Sequence, residues 1–266
     1  MKRSSISLLV MSGFVVALTP ALAMGTQVFG SDAFTTRVGF IDRDTAAWTE
    51  IGSANTPISG MAYDRNHDVV YGISPTFDTL YSVDPGTGTA TVIGSGGSLG
   101  YDNANGLAYD PNTDTLWATD NNTNTLFTVD TLTGVGTAVA TISGGFSEIE
   151  GLGFDAATNT LYGLTQLQKR VVSIDPVTGE ATAVADELPD KVWRGLTFDP
   201  EYNVLFLSAA TIFGDSEIYT LDPVGGRLDL RGTTAGVEAV QGLATIPEPA
   251  SILLCLGMML TLRRRG

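Results

Sequence analysis

One short pattern, Gly-apolar-small-aromatic-Asp, returns along the chain at nearly constant intervals. It reads Gly60-Met61-Ala62-Tyr63-Asp64, Gly106-Leu107-Ala108-Tyr109-Asp110, Gly151-Leu152-Gly153-Phe154-Asp155 and Gly195-Leu196-Thr197-Phe198-Asp199. A partial fifth copy stands at Gly242-Leu243-Ala244-Thr245-Ile246. The glycines lie 46, 45, 44 and 47 residues apart. A second marker, Asp84, Asp130 and Asp175, follows its glycine by 24 residues, and Asp222 follows by 27. The extra residues of the last copy are expected in a longer loop around Thr211-Ile212-Phe213-Gly214. Such a period dictates a ring or stack of similar units, because one unit of this size cannot bury its own apolar face.

Each period holds four short strand-like runs. In the copy that opens at Gly60 they are expected at 60–63, 69–73, 79–83 and 90–93. Between them lie turn sequences such as Asp110-Pro111-Asn112-Thr113-Asp114 and Asp84-Pro85-Gly86-Thr87-Gly88. Pro presets φ at the second turn position, Asp accepts backbone donors, and Gly takes the left-handed position. Four strands in about 45 residues is the pattern of a β-propeller blade. Upstream, Val28-Phe29-Gly30 aligns with Val70-Tyr71-Gly72, and Phe40-Ile41-Asp42 with Ser82-Val83-Asp84, while Trp48 to Gly52 supplies an outer strand. The N-terminal blade therefore lacks its first strand, and the orphan copy at 240–246 is expected to provide it. The expected fold is all-β: a five-bladed β-propeller closed by a C-terminal strand that completes the N-terminal blade. A sixth blade would require about 45 further residues. The repeat resembles those of NHL-type and YVTN-like propellers, a resemblance that covers nearly all of 26–246 and implies fold far more than function.

The two ends read as addresses. Lys2 and Arg3 precede an apolar run from Ile6 to Leu18 and then Ala21-Leu22-Ala23, the pattern of a secretory signal over 1–23. The propeller is placed at 24–246. The tail, 247–266, holds Pro247-Glu248-Pro249, an 11-residue apolar run from Ile252 to Leu262, and Arg263-Arg264-Arg265. The run is shorter than the roughly 20 residues of a comfortable membrane span. The three arginines would keep the terminus cytoplasmic. The tail resembles the PEP-CTERM sorting signal of Gram-negative bacteria. That resemblance implies an exosortase-type processing enzyme as partner, transient insertion of the tail in the inner membrane, and export to the cell surface or extracellular matrix of a producer of exopolysaccharide. The one cysteine, Cys255, lies within this tail.

Composition removes several function classes. A net charge of −15 opposes nucleic-acid binding, which needs cations to displace counterions. One cysteine excludes an internal disulfide framework and Cys-rich zinc sites, and one histidine, His67, excludes a multi-histidine metal centre. His67 sits in a turn and no Gly-x-Ser-x-Gly motif accompanies it, so no catalytic residue is assigned. The repeated aspartates, Asp64, Asp110, Asp155 and Asp199 with Asp84, Asp130, Asp175 and Asp222, are read as turn caps. Asp120-Asn121-Asn122-Thr123-Asn124 offers oxygen ligands of the kind calcium takes, with Asp102 and Asn103 near in sequence, but lacks the Gly and terminal Glu of an EF-hand loop. It is read first as a polar turn, with structural calcium as the alternative; no other cofactor is expected.

The residue just before each marker glycine is polar and different every time: Ser59, Asn105, Glu150, Arg194 and Gln241. Symmetry would repeat one residue type for a structural need, so this variation marks either a ligand site or a solvated rim. Trp193 stands beside Arg194 and completes the candidate ligand-binding set, although its repeat equivalents, Ile58, Ala104, Ile149 and Val240, are mostly large and apolar. Asp120, Asn122, Gln166 and Lys169 are expected on loops at the same end. The expected function is an exported, non-catalytic propeller binding a glycan or protein, an acidic sugar being suggested by Arg194. The alternatives are a metal-dependent lactonase-like hydrolase, for which only Glu150, Asn105 and Asp102 could offer ligands, or a purely structural matrix protein.

Overall fold

The structure, a computed structural model, describes residues 26–211 and 214–247. The expected signal segment, and Glu248, Pro249, Arg263, Arg264 and Arg265 of the tail, lie outside the described residues. Twenty strands follow in order: β1 (Thr26–Asp32), β2 (Arg37–Ile41), β3 (Trp48–Ser53), β4 (Gly60–Asp64), β5 (Val69–Ser74), β6 (Thr79–Val83) and β7 (Ala90–Val92). Next come β8 (Ala104–Asp110), β9 (Thr115–Asp120), β10 (Thr125–Val129), β11 (Gly136–Thr141), β12 (Ile149–Asp155), β13 (Thr160–Thr165), β14 (Arg170–Ile174) and β15 (Ala181–Ala183). The last are β16 (Val192–Asp199), β17 (Val204–Thr211), β18 (Gly214–Leu221), β19 (Leu228–Thr234) and β20 (Val240–Pro247).

They form five four-stranded sheets, β20-β1-β2-β3, β4 to β7, β8 to β11, β12 to β15 and β16 to β19. The fold is the five-bladed propeller that the repeat requires, and the blades fit NHL- and YVTN-like repeats. β20 pairs antiparallel with β1 from Thr26↔Pro247 to Asp32↔Val240, so the first blade takes its innermost strand from the far end of the chain. The expected long loop in the last copy is instead longer strands. β17 and β18 have 8 residues each, and their pairing runs out to Thr211↔Gly214.

The marker dipeptide explains the ring. A methyl group on Gly106 would stand 2.8 Å from Leu152 Cγ, one on Gly60 3.1 Å from Leu107 Cβ, and one on Gly195 3.0 Å from Leu243 Cγ. Each leucine seats on the glycine of the blade before it, and Met61 on Gly242 closes the circle. Five apolar clusters result, each shared by two adjacent blades. One joins Ile73 and Leu80 to Leu107 and Phe127, and another joins Val28 and Ile41 to Phe206 and Ile218. Buried hydroxyls add links between blades. Thr119 Oγ1 donates to the Ile149 carbonyl (3.0 Å), and Ser208 Oγ donates to that of Val240 (2.7 Å).

The repeated aspartates cap turns as expected. Asp64, Asp110, Asp155 and Asp199 each accept the backbone N–H two residues on, at 2.8 to 2.9 Å. Asp84, Asp130, Asp175 and Asp222 do the same in the outer hairpins, at 2.7 to 2.9 Å.

A clasp secures the seam between the last blade and the first. Arg43, in the β2–β3 turn, donates to Asp199 Oδ2 (2.8 Å), Glu201 Oε2 (3.0 Å) and Thr26 Oγ1 (2.6 Å), and its guanidinium lies 4.1 Å from the centre of the Tyr202 ring.

Candidate functional site

The innermost strands β20, β4, β8, β12 and β16 all begin at one end of the ring, here the mouth. The β1–β2, β5–β6, β9–β10, β13–β14 and β17–β18 turns lie at this end too. Toward the opposite end the innermost strands enclose a small cavity of about 30 Å³, lined in part by Tyr63, Tyr109, Phe154 and Phe198.

At the mouth, irregular pairing interrupts β8 between Ala104 and Leu107, β12 between Ile149 and Gly151, and β16 between Trp193 and Leu196. Such bulges re-aim the residue they contain. Gln241 Nε2 donates to Asn105 Oδ1 (3.3 Å), joining the first and third blades, which are not neighbours, so this pair lies across the axis. Glu150 Oε2 lies 3.7 Å from the Arg194 guanidinium, and Asn121 Nδ2 donates to Glu150 Oε1 (3.0 Å). Four of the sequence-selected residues therefore meet at the mouth: Asn105, Glu150, Arg194 and Gln241.

Ser59 and Trp193 do not join them. The β4–β5 pairing is regular, and Ser59, 2% exposed, donates its hydroxyl to the Ala104 carbonyl of the next blade (3.0 Å), a structural link. Trp193 is 0% exposed, as are Ile58, Ala104, Ile149 and Val240 at its repeat position. Its indole N–H donates to the Pro189 carbonyl (3.0 Å), and its ring packs 5.1 Å from that of Tyr219. The indole belongs to the core between blades and offers no face to a ligand.

The turn residues at this end divide likewise. Asp120 is buried and accepts from the N–H groups of Asn103 (3.0 Å) and Thr123 (2.8 Å), so one oxygen holds the β7–β8 connection and the other the β9–β10 turn. Asn122 Oδ1 accepts from Asn103 Nδ2 (3.4 Å), Gln166 holds the Glu148 carbonyl through its backbone N–H (3.0 Å), and Lys169 pairs with Asp190.

Burial pushes the Glu150 carboxyl above the usual carboxylate range, and the Arg194 guanidinium opposes that rise. For an acid with a raised folded pKa, the stability contribution is present below the unfolded pKa and is lost as pH rises through the folded one. Glu150→Gln is therefore expected to be at least as stable as the parent at pH 7, with its advantage vanishing near pH 4. Arg194→Ala leaves a mostly buried carboxylate without its cation and should cost about 1–3 kcal/mol at pH 7. A double-mutant cycle by denaturant melts checks both, since the Glu150→Gln background should remove most of the Arg194→Ala penalty.

A further feature of the mouth lies on one of its turns. Phe34, on the β1–β2 turn, is 71% exposed. With Val192, Arg194, Thr211 and Glu238 it lines an open groove of about 530 Å³ between the last blade and the first. Asp32, fully buried, fixes that turn by accepting from the N–H of Phe34 (3.0 Å) and the hydroxyl of Thr35 (2.6 Å). Its sequence signal, a large apolar residue in a turn at this end, recurs at Phe77 and Leu167, which are 53% and 62% exposed.

At the opposite end, Asp64, His67 and Asp114 place three potential metal-ligating atoms within 4.8 Å of one another. His67 Nδ1 is 2.8 Å from Asp64 Oδ2, and hydrogen bonding to that carboxylate raises the imidazole pKa. A raised histidine pKa stabilises below the unfolded pKa and ceases to do so as pH rises through the folded one. Melting temperatures between pH 6 and pH 8.5 should thus fall slightly more for the parent than for His67→Gln.

With this geometry in hand, the comparisons are specific about the repeat. Residues 26–199 match a family described as "Repeat of unknown function (DUF6923)". The chain belongs to that family. No curated protein sequence matches it. Among solved structures, a chain in the crystal structure of a nidogen/laminin complex aligns with a TM-score of 0.56 and 14% identity, over 83% of this chain and 98% of that one. A structural-genomics protein of unknown function from Bacteroides thetaiotaomicron aligns with a TM-score of 0.55 and 15% identity, over 84% of this chain and 65% of its own length. What this DUF6923 repeat protein shares with both is the fold.

Proposed function

We propose that this protein is an exported, non-catalytic binding propeller, displayed at the cell surface or in the extracellular matrix, that engages a glycan or protein at its mouth. The observation that carries the reading is the groove: an exposed phenyl ring on a clamped turn, beside a half-buried guanidinium and an exposed carboxylate. Preorganised aromatic and polar groups on a rigid scaffold favour binding, because little order has to be imposed when a partner arrives. A structure of similar fold is described as a nidogen/laminin complex, which is in keeping with a role in assembly. The lactonase-like reading is weaker. It needs a divalent cation on Glu150, where Arg194 already presents a positive charge at 3.7 Å. Structural calcium at 120–124 would have to displace the hydrogen bonds that now occupy Asp120.

The address rests on the sequence. A signal over 1–23 and a tail with Pro247, Glu248, Pro249 and Arg263 to Arg265 support export, tail insertion in the inner membrane and processing by an exosortase-type enzyme. Fractionation of the native host tests it. With Pro247 and Pro249 changed to Ala, or the three arginines removed, the protein should be lost from the surface fraction; unchanged display would refute the sorting role. Binding is tested by passing host matrix over immobilised protein. Arg194→Ala and Phe34→Ala should each reduce capture about tenfold, and capture undiminished from the parent's in both variants would exclude the mouth.

A further inference from the structure

Resting on the reading of the mouth as a binding face, we infer that the groove between the last blade and the first holds an uncharged saccharide ring, its C–H face on Phe34 and its hydroxyls on Glu238 and Arg194. The phenyl ring is 71% exposed, so it is kept for contact with something other than this chain's core. The turn that carries it is held in place. Asp32 fixes the turn through Phe34 and Thr35, and Arg37 Nη2 braces Asp32 at 2.9 Å. An exposed aromatic face on a fixed turn suits a ligand that is itself flat and apolar on one side.

The charges select against ionic ligands. Arg194 is paired with Glu150, and Glu238 lines the same groove. A uronic acid would bring its carboxylate towards two carboxylates and one guanidinium, in a chain of net charge −15. The acidic sugar that Arg194 alone suggested is therefore disfavoured. A lysine side chain would meet the Arg194 cation. An uncharged polyol meets neither repulsion, since carboxylates accept from its hydroxyls and the guanidinium donates to its oxygens. The groove volume of about 530 Å³ lies within the range of about 300–1,000 Å³ in which small ligands are held.

The test uses the full chain against an immobilised array of neutral and uronic-acid oligosaccharides, followed by calorimetry of the best binders and of hexalysine. At least one neutral oligosaccharide should bind, and Phe34→Ala and Glu238→Gln should each weaken it tenfold or more. Both residues are exposed, so the variants should fold, which melting curves check. Val224→Ser, in an exposed turn at the opposite end, should bind as the parent does. Failure of every neutral oligosaccharide to bind overturns the assignment, as does preferential binding of a uronate or of hexalysine. If such a ligand is still lost with Arg194→Ala, the mouth stands and only its ligand class is wrong. Binding that survives every mouth variant and is lost with Val224→Ser overturns the mouth itself.

Discussion

A chain truncated before Val240 is expected to lose its cooperative melting transition and to aggregate, whereas one ending at Pro247 should melt as the full chain does. β20 is the innermost strand of the first blade, and Val240, Leu243, Ala244 and Ile246 are at most 4% exposed. Burying a large aliphatic side chain contributes about 1.5–3 kcal/mol. The three large ones together rival the roughly 5–15 kcal/mol that holds a whole domain. Their loss also bares β1, whose free edge would seek another chain. Size-exclusion chromatography and a thermal melt decide the matter: a soluble monomer with an unchanged transition would refute the shared blade.

The second large effect concerns a single methyl group. Gly151→Ala should destabilise by about 2–4 kcal/mol, at the upper end of what overpacking costs. The added carbon would stand 2.4 Å from the Leu196 amide nitrogen and 2.9 Å from the Gly195 carbonyl carbon, both backbone atoms of the next blade. Neither can move without shifting the inner strand of that blade. Gly96→Ala is the control. Its nearest neighbour would be Thr79 Oγ1 at 3.8 Å, and the change should stay within about 0.5 kcal/mol of the parent. Denaturant midpoints for the two variants, measured side by side, test whether the marker glycine is kept for packing at the ring's centre.

That packing is why the architecture could be read from the sequence. The same contact of a glycine with a leucine or methionine is needed at every blade boundary, so the chain writes it at every boundary, and even the orphan copy at Gly242-Leu243 keeps it. The site is different because function breaks the symmetry. The polar residues before Asn105's, Glu150's and Arg194's glycines were visible as a varied set, but pairing decides which of them reach the mouth. Ser59, in a regular strand pair, turns to its neighbouring blade instead. Trp193 looked like a ligand platform because it adjoins Arg194. The repeat position it occupies faces the core, and there the large indole fills space that smaller residues fill in other blades. Phe34 stands two residues past its strand, where Thr76, Asn122 and Leu167 stand in other blades, and the groove beside it is evident only in the folded ring.

The pairing of Thr26 with Pro247 also fixes how the ring responds to force. Both ends of the described chain leave from one edge of one sheet, away from the mouth. A pull that separates them loads the β1–β20 hydrogen bonds one pair after another, beginning with Thr26↔Pro247 and Gln27↔Ile246. This is the geometry of a zipper, which yields at lower load than strands sheared along their length. Arg43 and Glu201 hold Thr26 to the neighbouring blade, so β20 should peel first while β1 stays latched. Rupture under load is governed by the unfolding rate, and for this ring that rate would be set at the seam while the groove beside Phe34 lies at the other end.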